Sequence, residues 1–313
     1  MSPTELPTNA AVLGAGTIGR SAGILLAAHG VPVTLVTRRA QAAAEAPAAI
    51  DRRLTELTEL GAFTIDQAAN VRARVSASVG LPDGESFALI FEAVGEQLDH
   101  KRAVLASAEP SLAADGVLAT TTSSLPLAEL ASALAAPERF AGWHFFHPAD
   151  LMALVEIVPG QRTDPAVLAL LQAWSEQLGR RPIVLRRDVP GFVANRLQYA
   201  LLREAYALVE AGVCALRDVD VAITAGLGAR WAALGPFETM DLAGLEVHAA
   251  VAAALFPLLS GSAEPPAELV RLRANGAGGA RAGRGLLGDY SPDRVRELEI
   301  WRDETLIALG EHG

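Results

Sequence analysis

Gly14-Ala-Gly-Thr-Ile-Gly19 stands between an apolar run, Ala10-Ala-Val-Leu13, and a segment with helical periodicity over residues 17–29. Few short motifs restrict a fold as much. The first glycine permits a tight turn at a strand end. The second removes a side chain where backbone must approach a ligand, and the third lets the new helix pack closely on the strand it leaves. A helix starting there points free N–H groups at whatever lies over the loop. Gly14, Gly16, Thr17, Ile18 and Gly19 are therefore candidate ligands for the pyrophosphate of a dinucleotide. Gly30 supplies a helix C-cap, and residues 31–36 read as a second strand. The chain opens on a βαβ unit.

The same alternation continues. Residues 41–61 read as a long helix, with Pro47 marking either its true start or a kink, and residues 66–74 as another helix. Strands are expected at 75–81, 87–94, 116–121, 140–146, 154–158 and 183–185, with helices at 98–108, 127–134 and 165–178. After Pro190-Gly191 nearly everything reads as helical, beginning with residues 192–211. The pattern predicts an α/β protein: an N-terminal doubly wound Rossmann sheet over residues 1–189 and an all-helical domain over 190–313. The helical part is too elongated in pattern to bury its own apolar faces, so a substrate-binding and dimerisation role, and hence a homodimer, is expected of it.

Composition removes several function classes. A chain of 313 residues that is 51% hydrophobic and 20% charged is not disordered. Its net charge of −10 argues against a nucleic-acid partner. No apolar stretch reaches the ~20 residues that span a bilayer, so no membrane partner is expected. The single cysteine, Cys214, suits a reducing compartment, and Met1-Ser-Pro-Thr-Glu-Leu-Pro7 lacks the basic and apolar regions of a secretory signal. A cytoplasmic location is the expectation.

Chemistry enters at His144, at the end of an expected strand, with Glu156 on the next. A strand, turn, strand path brings two such side chains together. A carboxylate beside an imidazole fixes its tautomer and stabilises its protonated form, which makes an acid/base pair.

Several motifs share that register: Thr122-Ser-Ser-Leu125, Arg139-Phe-Ala-Gly-Trp-His-Phe-Phe-His-Pro148, Leu154-Val-Glu-Ile-Val-Pro159, Asp188-Val-Pro-Gly-Phe-Val-Ala-Asn-Arg196 and Gly235-Pro-Phe-Glu238. Together they resemble the L-3-hydroxyacyl-CoA dehydrogenase family over nearly the whole chain. The resemblance implies an oxidoreductase that moves hydride between a nicotinamide cofactor and the 3-position of an L-3-hydroxy or 3-oxo acyl thioester. It implies that His144 is the proton acceptor and Glu156 its partner, with Ser123 and Asn195 hydrogen-bonding at the reacting oxygen and the nicotinamide. Phe91-Glu-Ala-Val-Gly-Glu96 and Lys101, the one lysine of the chain, match a family segment near the cofactor.

Four departures matter. His147 stands where the family usually has asparagine. The segment after the second strand lacks the lysine-rich hairpin presented to CoA, leaving Arg52 and Arg53 as substitutes or as a solvated face. Gly226-Leu-Gly-Ala-Arg230-Trp231 opens a longer loop before Gly235-Pro-Phe-Glu238, in a form similar to the members acting on free small hydroxy acids, the L-gulonate and carnitine dehydrogenases. Arg230 could grip a carboxylate there. Finally, Thr37-Arg38-Arg39 replaces the acid expected after the second strand. Loss of that acid removes repulsion of a 2′-phosphate, Thr37 can donate a hydrogen bond, and guanidinium groups suit a phosphate, so NADP is favoured over NAD. The main reading is the acyl thioester enzyme. The alternative is a dehydrogenase of a free small 3-hydroxy acid, and the remaining one a non-catalytic dinucleotide-binding protein.

Overall fold

The computed structural model describes residues 5–310. The chain forms two compact units, one reaching to Val193 and including the C-terminal end from Leu306, the other spanning Ala194–Thr305.

The first unit is built on strands β1 (Ala10–Leu13), β2 (Val33–Thr37), β3 (Val75–Val79), β4 (Phe87–Glu92), β5 (Leu112–Thr120), β6 (Phe140–Phe145), β7 (Leu154–Pro159) and β8 (Arg181–Val184). They form one eight-stranded sheet in the order β3-β2-β1-β4-β5-β6-β7-β8. Neighbours are parallel from β3 across to β6; β7 then runs antiparallel to β6, and β8 follows β7. Parallel neighbours need crossovers, supplied here by α1 (Thr17–Ala28), α2 (Ala40–Glu59), α3 (Ile65–Arg74), α4 (Leu98–Ala108) and α5 (Leu127–Ala131). A sixth helix, α6 (Pro165–Gln177), joins β7 to β8. The order reverses about β1, which lies between β2 and β4, so the crevice beyond the carboxyl ends of those strands is where a ligand is expected.

Strand interiors are apolar on both faces because both are covered. One core packs Val12, Leu35, Ile24, Trp143 and Trp174; the opposite one packs Leu13, Phe87, Ile90, Leu105 and Phe140. Trp143 is fully buried, and its indole N–H donates to Ser175 Oγ at 2.8 Å, so no donor is stranded there.

Differences from the sequence pattern are local. Helix α2 runs through Pro47 without a break. Strand β5 begins at Leu112, ahead of the expected start, and its register with β4 shifts between Phe87 and Leu89. The helix expected from residue 192 begins only at Ala194, because Gly191 and Phe192 both have positive φ, 77° and 49°, which no right-handed helix accommodates.

The second unit is helical: α7 (Ala194–Glu210), α8 (Leu216–Val221), α9 (Ala229–Ala233), α10 (Pro236–Ala243), α11 (Leu245–Leu255), α12 (Ala267–Ala274) and α13 (Pro292–Gly310), whose last turn belongs to the first unit. The glycine-rich segment read above as a loop is helical instead. Residues Ala222–Gly228 form a π-helical turn that runs directly into α9. Among the described residues no single helix is long and apolar enough to cross a membrane.

Candidate active site

The antiparallel step in the sheet brings the acid/base pair together. Register pairs His144 on β6 directly with Glu156 on β7. Both side chains are buried, and His144 Nδ1 lies 2.8 Å from Glu156 Oε2. The other carboxylate oxygen, Oε1, accepts the backbone N–H of Val193 at 2.9 Å. A carboxylate so placed holds the ring proton on Nδ1 and leaves Nε2 with its lone pair.

The Pro-Gly-Phe segment completes the arrangement. Phe192 is the one described non-glycine residue with positive φ. Holding a bulky residue there costs on the order of 1–3 kcal/mol, and such conformations gather at functional sites. Its effect is visible: the Phe192 ring is buried with its centroid 5.3 Å from that of His144, edge to face, and Phe146 stands at 4.6 Å. The following N–H reaches Glu156. The sequence motif therefore clamps the imidazole and its carboxylate at once, a role that motif matching alone did not disclose.

A second network orders the Ser123 loop. Glu96 Oε1 accepts from Thr122 Oγ1 at 2.6 Å, from the Ser123 N–H at 2.9 Å and from the Ser124 N–H at 3.1 Å. Burial would raise the Glu96 carboxyl, but the Thr122 hydroxyl, the Lys101 charge and the Ser123 N–H outweigh it and hold it below its usual range. Lys101 lies on the buried face of α4. It is fully buried, donates to Glu92 at 2.8 and 3.0 Å, and lies 3.3 Å from Glu96. Thr120 Oγ1 donates to Glu92 at 2.6 Å. Glu92 escaped the sequence reading, although an acid closing the apolar run Phe87–Glu92 is a signal that it has a buried partner.

The glycine-rich turn opens on a cleft of about 690 Å³ lined by Gly14, Gly16, Thr37, Arg38, Arg39 and His100, among others. Its glycines do different work. A Cβ on Gly19 would meet the Gly14 carbonyl oxygen at 1.9 Å, and one on Gly14, at φ 110°, would meet the Ala93 carbonyl at 2.7 Å. Those two serve the fold. A Cβ on Gly16 meets nothing within 4 Å, so only a ligand needs that space. No side chain caps α1 and no acid sits in its first turn, so the N–H groups around Thr17 and Ile18 are open to phosphate. The residues present fit a dinucleotide.

Thr37 corrects an expectation. Its hydroxyl is turned inward and donates to the Arg39 carbonyl at 3.0 Å, with the Ser78 carbonyl at 3.3 Å. The proton expected for a cofactor phosphate is used by the main chain. Arg38 and Arg39 are exposed at the cleft. Arg53 is neither a solvated side chain nor free for CoA: its Nε lies 2.7 Å from Asp150 Oδ2, and Asp150 also accepts from Ser21 at 2.8 Å, tying α1 and α2 to the β6–β7 loop. Arg52 and His147 are exposed. Asn195 lies in the first turn of α7 and Arg230 in α9, both in the second unit.

A doubly wound sheet with a dinucleotide turn, and a buried His–Glu pair near the carboxyl ends of its strands, defines a nicotinamide-dependent oxidoreductase of CH–OH donors. Residues 9–189 match the family model described as 3-hydroxyacyl-CoA dehydrogenase, NAD binding domain, and residues 191–288 match the one described as its C-terminal domain. The chain belongs to the 3-hydroxyacyl-CoA dehydrogenase family. It is 32% identical over 309 residues, 96% of either chain, to 5-formyl-3-hydroxy-2-methylpyridine 4-carboxylate 5-dehydrogenase of Mesorhizobium japonicum. It is 35% identical over 248 residues, 79% of this chain and 76% of the relative, to L-carnitine dehydrogenase of Streptomyces coelicolor. A solved structure of a 5-formyl-3-hydroxy-2-methylpyridine 4-carboxylic acid 5-dehydrogenase, described as an NAD+-dependent dismutase, superposes with a TM-score of 0.88 at 29% identity over 97% of both chains. The NADP preference expected from Thr37-Arg38-Arg39 finds no support in these likenesses.

Proposed function

We propose that this protein is an NAD-dependent dehydrogenase of a small hydroxy acid carrying a free carboxylate. The observation that carries the substrate class is the likeness, over most of both chains, to two enzymes named for free acids, a pyridine carboxylate and carnitine. This reading replaces the acyl thioester as the leading one. The chemistry rests on the His144–Glu156 pair.

The Gly14–Gly19 turn, with Thr37 and Arg38 lining the same cleft, would hold NAD, which would supply the hydride acceptor. His144 Nε2 takes the proton of the substrate hydroxyl, because Glu156 keeps the other ring nitrogen protonated and stabilises the imidazolium that forms. Ser123, on the loop held by Glu96, and Asn195 would hydrogen-bond at the reacting oxygen and the nicotinamide. Glu96 and Lys101 act at the cofactor through that loop. Arg230 takes the substrate carboxylate, for which a guanidinium has the matching fork of donors. A hydrated aldehyde presents the same CH–OH group, so an aromatic aldehyde acid is a second substrate type, favoured by the pyridine carboxylate relative. Exposed Phe237, Leu242 and Phe256 on the helical unit support a homodimer.

The test is a panel of free 3-hydroxy acids, aldehyde acids and matching CoA thioesters, assayed with NAD and NADP. A kcat/KM at least tenfold higher for a free acid with NAD is expected. A thioester turned over faster than every free acid overturns the substrate class.

A further inference from the structure

The cleft also holds a histidine that belongs neither to the acid/base pair nor to the phosphate turn. His100 lies in the first turn of α4, and His100, Val104, Ser107 and Ala108 share one face of that helix, all four lining the cleft. Its Nε2 is shut off from solvent and has no hydrogen-bond partner among the described residues. A buried, unpaired ring nitrogen costs about 1–3 kcal/mol, so it calls for an explanation.

The other polar side chains of that wall are accounted for. The Thr37 hydroxyl donates to the Arg39 carbonyl, and the Ser107 hydroxyl donates to the Val104 carbonyl at 2.9 Å. Arg38 and Arg39 are exposed and can only donate. A neutral imidazole both donates and accepts, and its χ2 torsion is broad, so a rotation about χ2 would bring a nitrogen to the cleft. The same cleft carries Val79, Leu81, Val104 and Ala108, an apolar lining suited to a flat ring. A purine is such a ring, with donors and acceptors alternating along its edge.

We propose that His100 is a specificity-determining residue of the cleft, hydrogen-bonding the edge of the cofactor's adenine while Val79, Leu81 and Val104 enclose its faces. This inference rests on the reading of the cleft as a dinucleotide site. It assigns to the base a polar contact beyond the phosphate turn and the ribose end.

The test is binding, not turnover. ADP-ribose, which carries the adenine half, and reduced nicotinamide mononucleotide, which lacks it, are titrated against the wild-type protein and His100→Phe. The variant keeps an aromatic ring and removes both nitrogens. Loss of one net hydrogen bond should raise the Kd for ADP-ribose about three- to tenfold and leave the mononucleotide Kd unchanged. His100→Gln, which restores a donor and an acceptor, should return ADP-ribose binding to within about twofold of wild type. His100→Leu gives the same readout as Phe and needs no aromatic space. Unchanged ADP-ribose affinity in both Phe and Leu variants, or equal weakening of the two ligands, overturns the assignment. Failure of the wild-type protein to bind either ADP-ribose or NADH overturns the dinucleotide reading itself, a separate result.

Discussion

Replacing Glu156 by glutamine is the sharpest perturbation of the acid/base pair, because it changes charge and hydrogen-bond sense at almost constant volume. Glu156 is fully buried, and the donors to its two oxygens include the His144 ring and the Val193 backbone N–H. A glutamine offers one oxygen and one NH2. If the oxygen stays with His144, the NH2 faces the Val193 N–H, donor against donor. If the oxygen turns to Val193, the NH2 faces Nδ1, which must then accept, and the ring proton moves to Nε2. Nε2 can then no longer receive a proton from the substrate. Either orientation loses a bond to a charged acceptor, about 1.5–3 kcal/mol, and the second also removes general base catalysis, worth about 10²–10⁴-fold in rate. The expected outcome is a kcat reduced by about 10²–10⁴, with NADH affinity within about threefold of wild type by fluorescence titration. His144→Ala should fall in the same range. A Glu156→Gln enzyme with near-normal kcat and an unaltered pH profile would refute the pairing as the source of catalysis.

Other perturbations separate fold from function. Lys101→Met leaves Glu92 buried without its cation, so urea unfolding should show a loss of about 3–5 kcal/mol, partly recovered in the Lys101→Met/Glu92→Gln double variant. Gly16→Ala should unfold within about 0.5 kcal/mol of wild type yet bind NADH at least tenfold more weakly, whereas Gly19→Ala, with its Cβ on the Gly14 carbonyl, should not yield a stable fold; loss of stability in Gly16→Ala would show that its space belongs to the protein. The Glu96 carboxyl is held below its ordinary value of 4.5, so its charged form stabilises the folded state above that pH, and the contribution is lost as pH falls through the lowered value; the stability gap between wild type and Glu96→Gln should narrow over that interval and stay constant at neutral pH. Arg230→Met should raise KM for a free hydroxy acid by the equivalent of about 1.5–3 kcal/mol and spare a thioester, and equal effects on both would assign Arg230 to structure.

Much of this was legible in residue order. Hydrophobic period and glycine placement located every strand of the large sheet to within a few residues, because buried parallel strands have few ways to look different. The pairing of His144 with Glu156 was legible as well, since a turn between two strands leaves little freedom in register. Hydrogen-bond partners were not. Thr37 looked like a donor to a cofactor, but a strand-end hydroxyl finds backbone carbonyls at hand, and Arg39 supplies one. Lys101 looked like a cofactor-facing cation; the acid ending β4 signalled a buried partner, but residue order does not identify that partner as Lys101. The Gly226–Arg230 segment looked like a loop because glycine discourages helix; a π-helical turn absorbs both glycines instead.

The reversal of β7 explains why this site needs so little sequence. In a purely parallel sheet the partner of a strand-end histidine would come from a neighbour reached by a long crossover, and its distance would depend on the packing of an intervening helix. Here a hairpin-like return puts Glu156 across from His144 by strand register alone. Register fixes which residues face each other, but not the rotation of the imidazole. That task falls to Gly191 and Phe192, whose positive φ values turn the chain so that one residue packs on the ring and the next donates to the carboxylate. The strain at Phe192 is thus compensated by three contacts made at once: a buried ring, a clamped imidazole and a satisfied buried oxygen. Replacing Gly191 by any residue with a Cβ would oppose that turn, and its effect should appear in the His144–Glu156 chemistry before it appears in the sheet.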